Sequence, residues 1–290
     1  MTLAPSEFIL NEDGSIYHLH LLPHQIAQTI ITVGDPDRVD TVTQHFDSIE
    51  CSVQKREFKT TTGVYQGKRI TVISTGIGTD NIDIVLNELD ALVNIDFKTR
   101  MLKPEHTALQ IIRLGTSGSI QKDIPVDAVL LSEKALGFDV LLHFYQSKTI
   151  RDQDLEQAFV AHTNWNPEKS IPYAVSANAS LLKHFKTEAH YTGITATNVG
   201  FYGPQGRQLR LKTEDSALNN KLETFEHKGE RITNLEMETS GIYGLSTLLG
   251  HQALSINAIL ANRATGVFSK NPANTVNQMI LAAFDRIALL

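Results

Sequence analysis

The chain has 290 residues, 41% of them hydrophobic and 20% charged, the composition of a globular protein with a sizeable core. A net charge of -6 speaks against general nucleic-acid binding, which needs a basic face, and a single cysteine, Cys51, excludes an internal disulfide framework or cysteine-built zinc site and suits a reducing cytoplasm. No stretch approaches the roughly 20 apolar residues of a membrane span, and the N-terminal residues lack the basic flank and apolar run of a signal peptide, so the expectation is a cytoplasmic protein without membrane or nucleic-acid partners.

In chain order, "TIITV" at 29–33 reads as a buried strand, and "VGDPDRV" at 33–39 turns it into a helix. Gly34 permits close backbone approach to a ligand, Pro36 suits the first helical turn, and Arg38 falls within that turn. A guanidinium at the amide-rich end of a helix is a natural anion site; the alternative is a surface turn in which Arg38 pairs with Asp35 or Asp37. "GVYQGKR" at 63–69 misses the P-loop pattern, with three residues between its glycines and Arg69 at the hydroxyl position. "RITVIS" at 69–74 reads as the next strand. "GIGTDN" at 76–81 places Asn81 where a dinucleotide fingerprint needs its third glycine. Asp80 then reads as the N-cap of a helix carrying Ile82, Val85, Leu86, Leu89 and Leu92 at helical spacing.

Segment 94–107 reads as a loop or local elaboration. "ALQIIRL" at 108–114 is a strongly apolar strand with Arg113 near its end, an expensive placement unless the guanidinium is paired or meets an anion. "GTSGS" at 115–119 follows; it lacks the final glycine of a nucleophile elbow and reads as a compact loop of hydroxyl and amide donors. The carboxyl edge of a sheet is where such folds bind ligands, so Arg113 is an anion site or a structural ion pair. Strands follow at 128–132, 193–198 and 253–261, with a second loop-like elaboration at 144–172. "FYGPQGRQ" at 201–208 sets an amide, Gln205, and a guanidinium, Arg207, beside Phe201 and Tyr202. "NLEMETSGIYG" at 234–244 places Glu236 and Glu238 around Met237 at a helix start, as an acidic first turn or as carboxylates for sugar hydroxyls. That helix stops at Gly250, and a last helix carries Val276, Met279, Ile280, Ala283 and Ile287. Alternating strands and helices predict an α/β fold. No repeat or linker divides it, so one domain over 1–290 is expected, with 1–13 an N-terminal extension.

"GDPDRV", "STGIG", "RLGTSG", "FYGPQGR", "NLEMET" and "NR" at 262–263 occur in this order. Over nearly the whole chain the sequence resembles nucleoside phosphorylases of the purine/uridine phosphorylase superfamily, and its uridine branch most. The resemblance implies a three-layer α/β/α fold around a central mixed, partly barrel-like sheet. It implies a pentosyltransferase that splits a pyrimidine nucleoside with phosphate as co-substrate, in nucleoside salvage or catabolism. Gly34, Arg38, Arg56, Arg113 and Thr116 would bind phosphate, with Thr116 bridging to ribose. His18, Glu236, Met237 and Glu238 would hold the ribose, and Phe201, Gln205 and Arg207 the base. Arg38, Arg113, Arg207 and Glu238 would carry the catalysis. His18 and Arg56 would act across a subunit interface, in a homodimer or a hexamer built as a trimer of dimers. No organic cofactor is implied; a monovalent cation, potassium, is the expected guest of Glu57 and Ser74. A purine phosphorylase, a phosphate-independent nucleosidase and a nucleoside-binding sensor are the alternatives on the same fold. The purine enzymes use an acid near Asn262-Arg263 that this chain lacks.

Overall fold

The computed structural model describes residues 2–290. Its strands are β1 (Thr29–Val33), β2 (Ser48–Lys55), β3 (Phe58–Tyr65), β4 (Lys68–Ser74), β5 (Ile95–Asp96), β6 (Met101–Leu102), β7 (Gln110–Ser119), β8 (Val129–Gly137), β9 (Tyr173–Ser176), β10 (Tyr191–Thr197), β11 (Glu226–His227), β12 (Glu230–Glu236), β13 (Gln252–Asn262) and β14 (Val267–Phe268). The helices are α1 (Pro36–Thr43), α2 (Thr79–Asn94), α3 (Gln153–Thr163), α4 (Ala179–Phe185), α5 (Leu218–Glu223), α6 (Thr239–Leu248) and α7 (Pro272–Ile287).

All strands but β5 and β6 join one mixed sheet. Its middle closes on itself. β12 pairs with β10, β10 with β8, β8 with β13 and β13 with β7, and β7 returns to β12 through Asn234↔Ser119 and Leu235↔Gly118. From this five-strand ring β1, β4, β3 and β2 extend as an open arm. Helices α2 and α6 pack on one side of the sheet with Leu21, Phe58, Ile111 and Tyr243, while α1, α4 and α7 pack with Ile31, Val72, Ile112 and Leu254. A third cluster joins α3 and α5 to the ring through Phe159, Leu222, Phe225, Ile194 and Ile232. The expected α/β architecture with a partly barrel-like sheet is the one found.

Local chemistry sets the elements near the ring. Asp35 caps α1 by accepting a hydrogen bond from the Arg38 amide at 2.9 Å, and Pro36 occupies the first turn. Gly241 lets α6 approach α2: a Cβ there would lie 3.2 Å from both Ile82 and Thr79.

Several expectations are corrected. "GTSGS" is not a loop: β7 runs on to Ser119, paired with β13 and, at its end, with β12. Small residues are needed there, since a Cβ on Gly115 would fall 1.8 Å from Arg113 Nη1. The N-cap of α2 is Gly78, at φ 99°, not Asp80. Glu236 ends strand β12 and Glu238 caps α6, so "NLEMET" is a strand-to-helix junction instead of a first helical turn. Segment 144–172 contains helix α3, and 94–107 contains the β5–β6 hairpin. The N-terminal residues pack on that hairpin: Leu3 and Arg100 exchange hydrogen bonds, and Phe8 meets Phe97 edge-on at 5.0 Å.

Candidate active site

A cleft of about 350 Å³ opens beside the ends of β1, β7, β12 and β13. Ten of the sequence-derived residues line it: Gly34, Arg38, Arg113, Thr116, Phe201, Gln205, Arg207, Glu236, Met237 and Glu238. Four do not: His18, Arg56, Glu57 and Ser74.

Arg113 is the hub of the first cluster. Its guanidinium is buried, with Nη2 2.6 Å from Glu238 Oε2 and 3.1 Å from Glu236 Oε2, and Nη1 donating to Asn257 Oδ1 at 3.0 Å. Burial works against its charge, but Glu236 and Glu238 outweigh that and hold its pKa above the ordinary arginine value. The ion pair is therefore present, on the same side chain that faces the cleft. Glu236 is largely consumed by structure: it accepts from Thr197 Oγ1 at 2.7 Å and from the backbone amides of Glu238 and Thr239. Glu238 is less committed, accepting from the Gly78 amide at 2.9 Å and from Arg113. Burial pushes the Glu238 carboxyl above the usual range, with Arg113 pulling the other way and Glu236 reinforcing the rise.

Arg38 pairs with Asp35 at 3.1 Å, as the surface-turn reading had it, yet only a fifth of its side chain is exposed and it lines the cleft. Its pKa is lowered by burial, and the Arg113 charge lowers it further against the pull of Asp35 and Glu238. Two guanidinium groups that repel one another on one cleft have the chemistry to meet an anion of more than one oxygen. Thr116 adds a hydroxyl that makes no hydrogen bond among the described residues.

The second cluster is the loop around Gln205. Gln205 is 2% exposed, and its Oε1 accepts from Arg207 Nη1 at 2.5 Å. Arg207 also donates to the Phe201 carbonyl at 2.6 Å and lies over the Phe201 ring, 3.7 Å from its centroid. Phe201 remains half exposed. Burial and the nearby Arg263 push the Arg207 pKa down to about 10, so the group is charged at neutral pH. Asn262 is fully engaged: its Nδ2 donates to the carbonyls of Gln121 and Ile124, and its Oδ1 accepts from the amides of Ala264 and Thr265.

Outside the cleft, His18 is held by Glu88, which meets its Nδ1 at 2.6 Å and leaves Nε2 without a partner among the described residues. Arg56 is exposed at the β2–β3 turn, at φ 57°. The Ser74 hydroxyl is fully buried, donating to the Glu57 carbonyl at 2.5 Å and accepting from the Lys59 amide at 2.7 Å. Ser117 and Gly118, from the donor-rich "GTSGS" stretch, and Asp35, read as a partner of Arg38, also line the cleft, and Ile77, Leu235, Leu260, Ala261 and Phe268, which the sequence did not single out as site residues, complete the lining.

A family model, the phosphorylase superfamily, matches residues 28–286. A uridine phosphorylase from Thermococcus kodakarensis is 29% identical over 259 residues, 89% of this chain and 82% of the relative. A purine nucleoside phosphorylase of the DeoD type from Geobacillus stearothermophilus is 27% identical over 92% of this chain and 97% of its own length. Among solved structures, a Trypanosoma brucei nucleoside phosphorylase that shows uridine phosphorylase activity superposes with a TM-score of 0.85 and 31% identity, covering 96% of this chain and 99% of the other.

Proposed function

The chain belongs to the phosphorylase superfamily, and within it we propose that the protein catalyses the reversible phosphorolysis of uridine to uracil and ribose 1-phosphate. The observation that carries this reading is the meeting of two unlike clusters on one cleft: Arg38, Arg113 and Glu238 beside Phe201, Gln205 and Arg207.

Phosphate binds between Arg38 and Arg113, whose mutual repulsion it relieves. Arg113 is already oriented by Glu238, so little reorganisation precedes binding. The ribose 2′- and 3′-hydroxyls take up lone pairs of Glu238, and Met237 walls the sugar. A phosphate oxygen then attacks C1′ as the bond to uracil N1 breaks through an oxocarbenium-like state. No covalent enzyme intermediate forms; the gain comes from holding nucleophile and sugar together. The departing electron pair passes into the uracil ring. Arg207 meets the charge that develops there, while Gln205 offers an NH₂ to a ring carbonyl and its Oε1 to N3–H. Such contacts strengthen only as the bond breaks, so they raise turnover.

His18 and Arg56 enter as the contribution of a second subunit, in a homodimer or a hexamer built as a trimer of dimers. Glu88 holds the His18 ring through Nδ1 and leaves Nε2 without a partner among the described residues, and Arg56 stands exposed on its turn, which supports this reading. The similarity to purine phosphorylases supports a second reading, inosine or adenosine as substrate. Against it, Asn262 is spent on backbone groups, and the loop cluster, with Arg207 and the neighbouring Arg263, holds no acid to protonate a purine.

The test is product identification with purified protein: uracil by absorbance and ribose 1-phosphate by phosphorus NMR, from uridine with and without phosphate, with thymidine, inosine and adenosine alongside. Phosphate-dependent release of uracil is expected. Preferred cleavage of inosine overturns the base assignment, cleavage without phosphate makes the protein a nucleosidase, and binding without turnover makes it a sensor.

A further inference from the structure

The side chain of Gln205 reads the base only if its backbone is held still, and that backbone sits at a tight turn. Gln205 ends a short 3-10 turn, Gly203–Gln205, and the next residue, Gly206, adopts a left-handed conformation at φ 67°. The Gln205 carbonyl accepts two hydrogen bonds, from Arg263 Nη1 at 3.2 Å and from Asn219 Nδ2 at 3.2 Å. Asn219 lies directly against Gly206: a Cβ at that glycine would fall 2.7 Å from Asn219 Nδ2. Asn219 stands in the first turn of α5, outside the cleft lining. Helix α5 is itself anchored, through Leu218 and Leu222 in the core and through His162 of α3, whose Nε2 lies 3.1 Å from the Lys221 carbonyl and 3.2 Å from Thr224 Oγ1.

We propose that Asn219 is a positioning residue for base recognition: its amide pins the Gln205 carbonyl against Gly206, and so sets how far the Gln205 side chain reaches into the cleft. The proposal rests on the base-reading role given to Gln205 above. Asn219 touches no substrate; it acts through Gln205. A carboxylate in its place sets an oxygen against the Gln205 carbonyl and repels it, while a leucine fills the space and removes the donor. Either change leaves the Gln205 carbonyl to Arg263 alone and loosens the turn at Gly206, and the lost precision falls on the base and not on phosphate. Through the same chain of contacts α3, inside the loop-like segment 144–172, steadies the helix that steadies the reading loop.

The experiment compares wild type, Asn219→Asp and Asn219→Leu by steady-state kinetics with uridine and inosine at fixed phosphate, then with phosphate varied, and by thermal unfolding. Expected is a rise of about tenfold in nucleoside KM for Asn219→Asp, the scale of one lost hydrogen bond. The uridine-to-inosine ratio falls, and phosphate KM and Tm stay near wild type. Asn219→Leu shows the same pattern. Equal loss toward both nucleosides with a matching drop in Tm, or no change at all, overturns the proposal. If wild type prefers inosine, the function assignment fails separately. The positioning role then stands or falls on whether the KM for inosine rises with phosphate KM unchanged.

Discussion

Arg113, Glu236 and Glu238 stand in or beside strands of the closed ring and are almost wholly buried, whereas Phe201, Gln205 and Arg207 stand on a loop between β10 and α5, with Phe201 half exposed. The first cluster is fixed from every side: Asn257, Thr197 and the Gly78 amide hold it. The second is held mainly within its own loop, by Arg207 on the Phe201 carbonyl, the Phe201 ring and Gln205 Oε1, with Asn219 and Arg263 reaching it at the Gln205 carbonyl. The difference matches the chemistry each would serve. Phosphate would be the same co-substrate whichever nucleoside is split, and its charge demands groups oriented before binding. The base is what differs between nucleosides, and a loop changes by substitution without disturbing the sheet.

The largest effect should come from breaking the buried cluster. Arg113→Ala strands Glu236 and Glu238 without their counter-charge, an uncompensated burial that costs about 3–5 kcal/mol. Turnover of every nucleoside should vanish together with a large fall in Tm. Arg113→Lys should rescue stability more than activity, since a single ammonium cannot reproduce the fork. Retained Tm in Arg113→Ala would show that the cluster is less rigid than its geometry implies.

The loop cluster should behave oppositely. Because the pKa of Arg207 is depressed by burial and by Arg263, its charge weighs against folding at every pH below about 10 and ceases to do so only as the group deprotonates. At pH 7 Arg207→Met should hold or raise Tm while kcat/KM for uridine falls about 100-fold, the scale of one donor to developing charge. A Tm several degrees lower would make Arg207 a structural residue. A smaller effect sharpens the contrast further: Arg56→Ala should leave Tm unchanged and lower kcat/KM about tenfold, one charge-assisted contact to phosphate. Subunits of Arg56→Ala reassociated with Arg207→Met should be more active than either parent, because one site of the mixed dimer is whole. No gain on mixing would place Arg56 outside the neighbour's site.

The buried cluster's residues were legible because charge inside an apolar strand is so costly that it announces itself, as Arg113 does in "IIRLG". Its scaffold was less so. "GTSGS" has the composition of a loop, but it pairs in β7 because only small side chains pass the Arg113 guanidinium; tertiary packing overrides local propensity there. "NLEMET" shows no break between strand and helix, since Glu236 accepts the amides of Glu238 and Thr239 and so ends one element while starting the next. In the loop cluster, Gln205 and Arg207 stood out as unusual turn residues. Asn219, fourteen positions on, had no local signal, because its role exists only once α5 folds back on Gly206.

The most direct test of the division of labour is the ratio of kcat/KM for uridine to that for inosine in wild type and in Gln205→Ala, with phosphate KM measured in parallel. The account predicts that the ratio falls about 100-fold, as expected when a site built to hydrogen-bond its substrate loses that group, and that phosphate KM stays unchanged. An equal loss for both nucleosides, or a shift in phosphate KM of the same size, would contradict it.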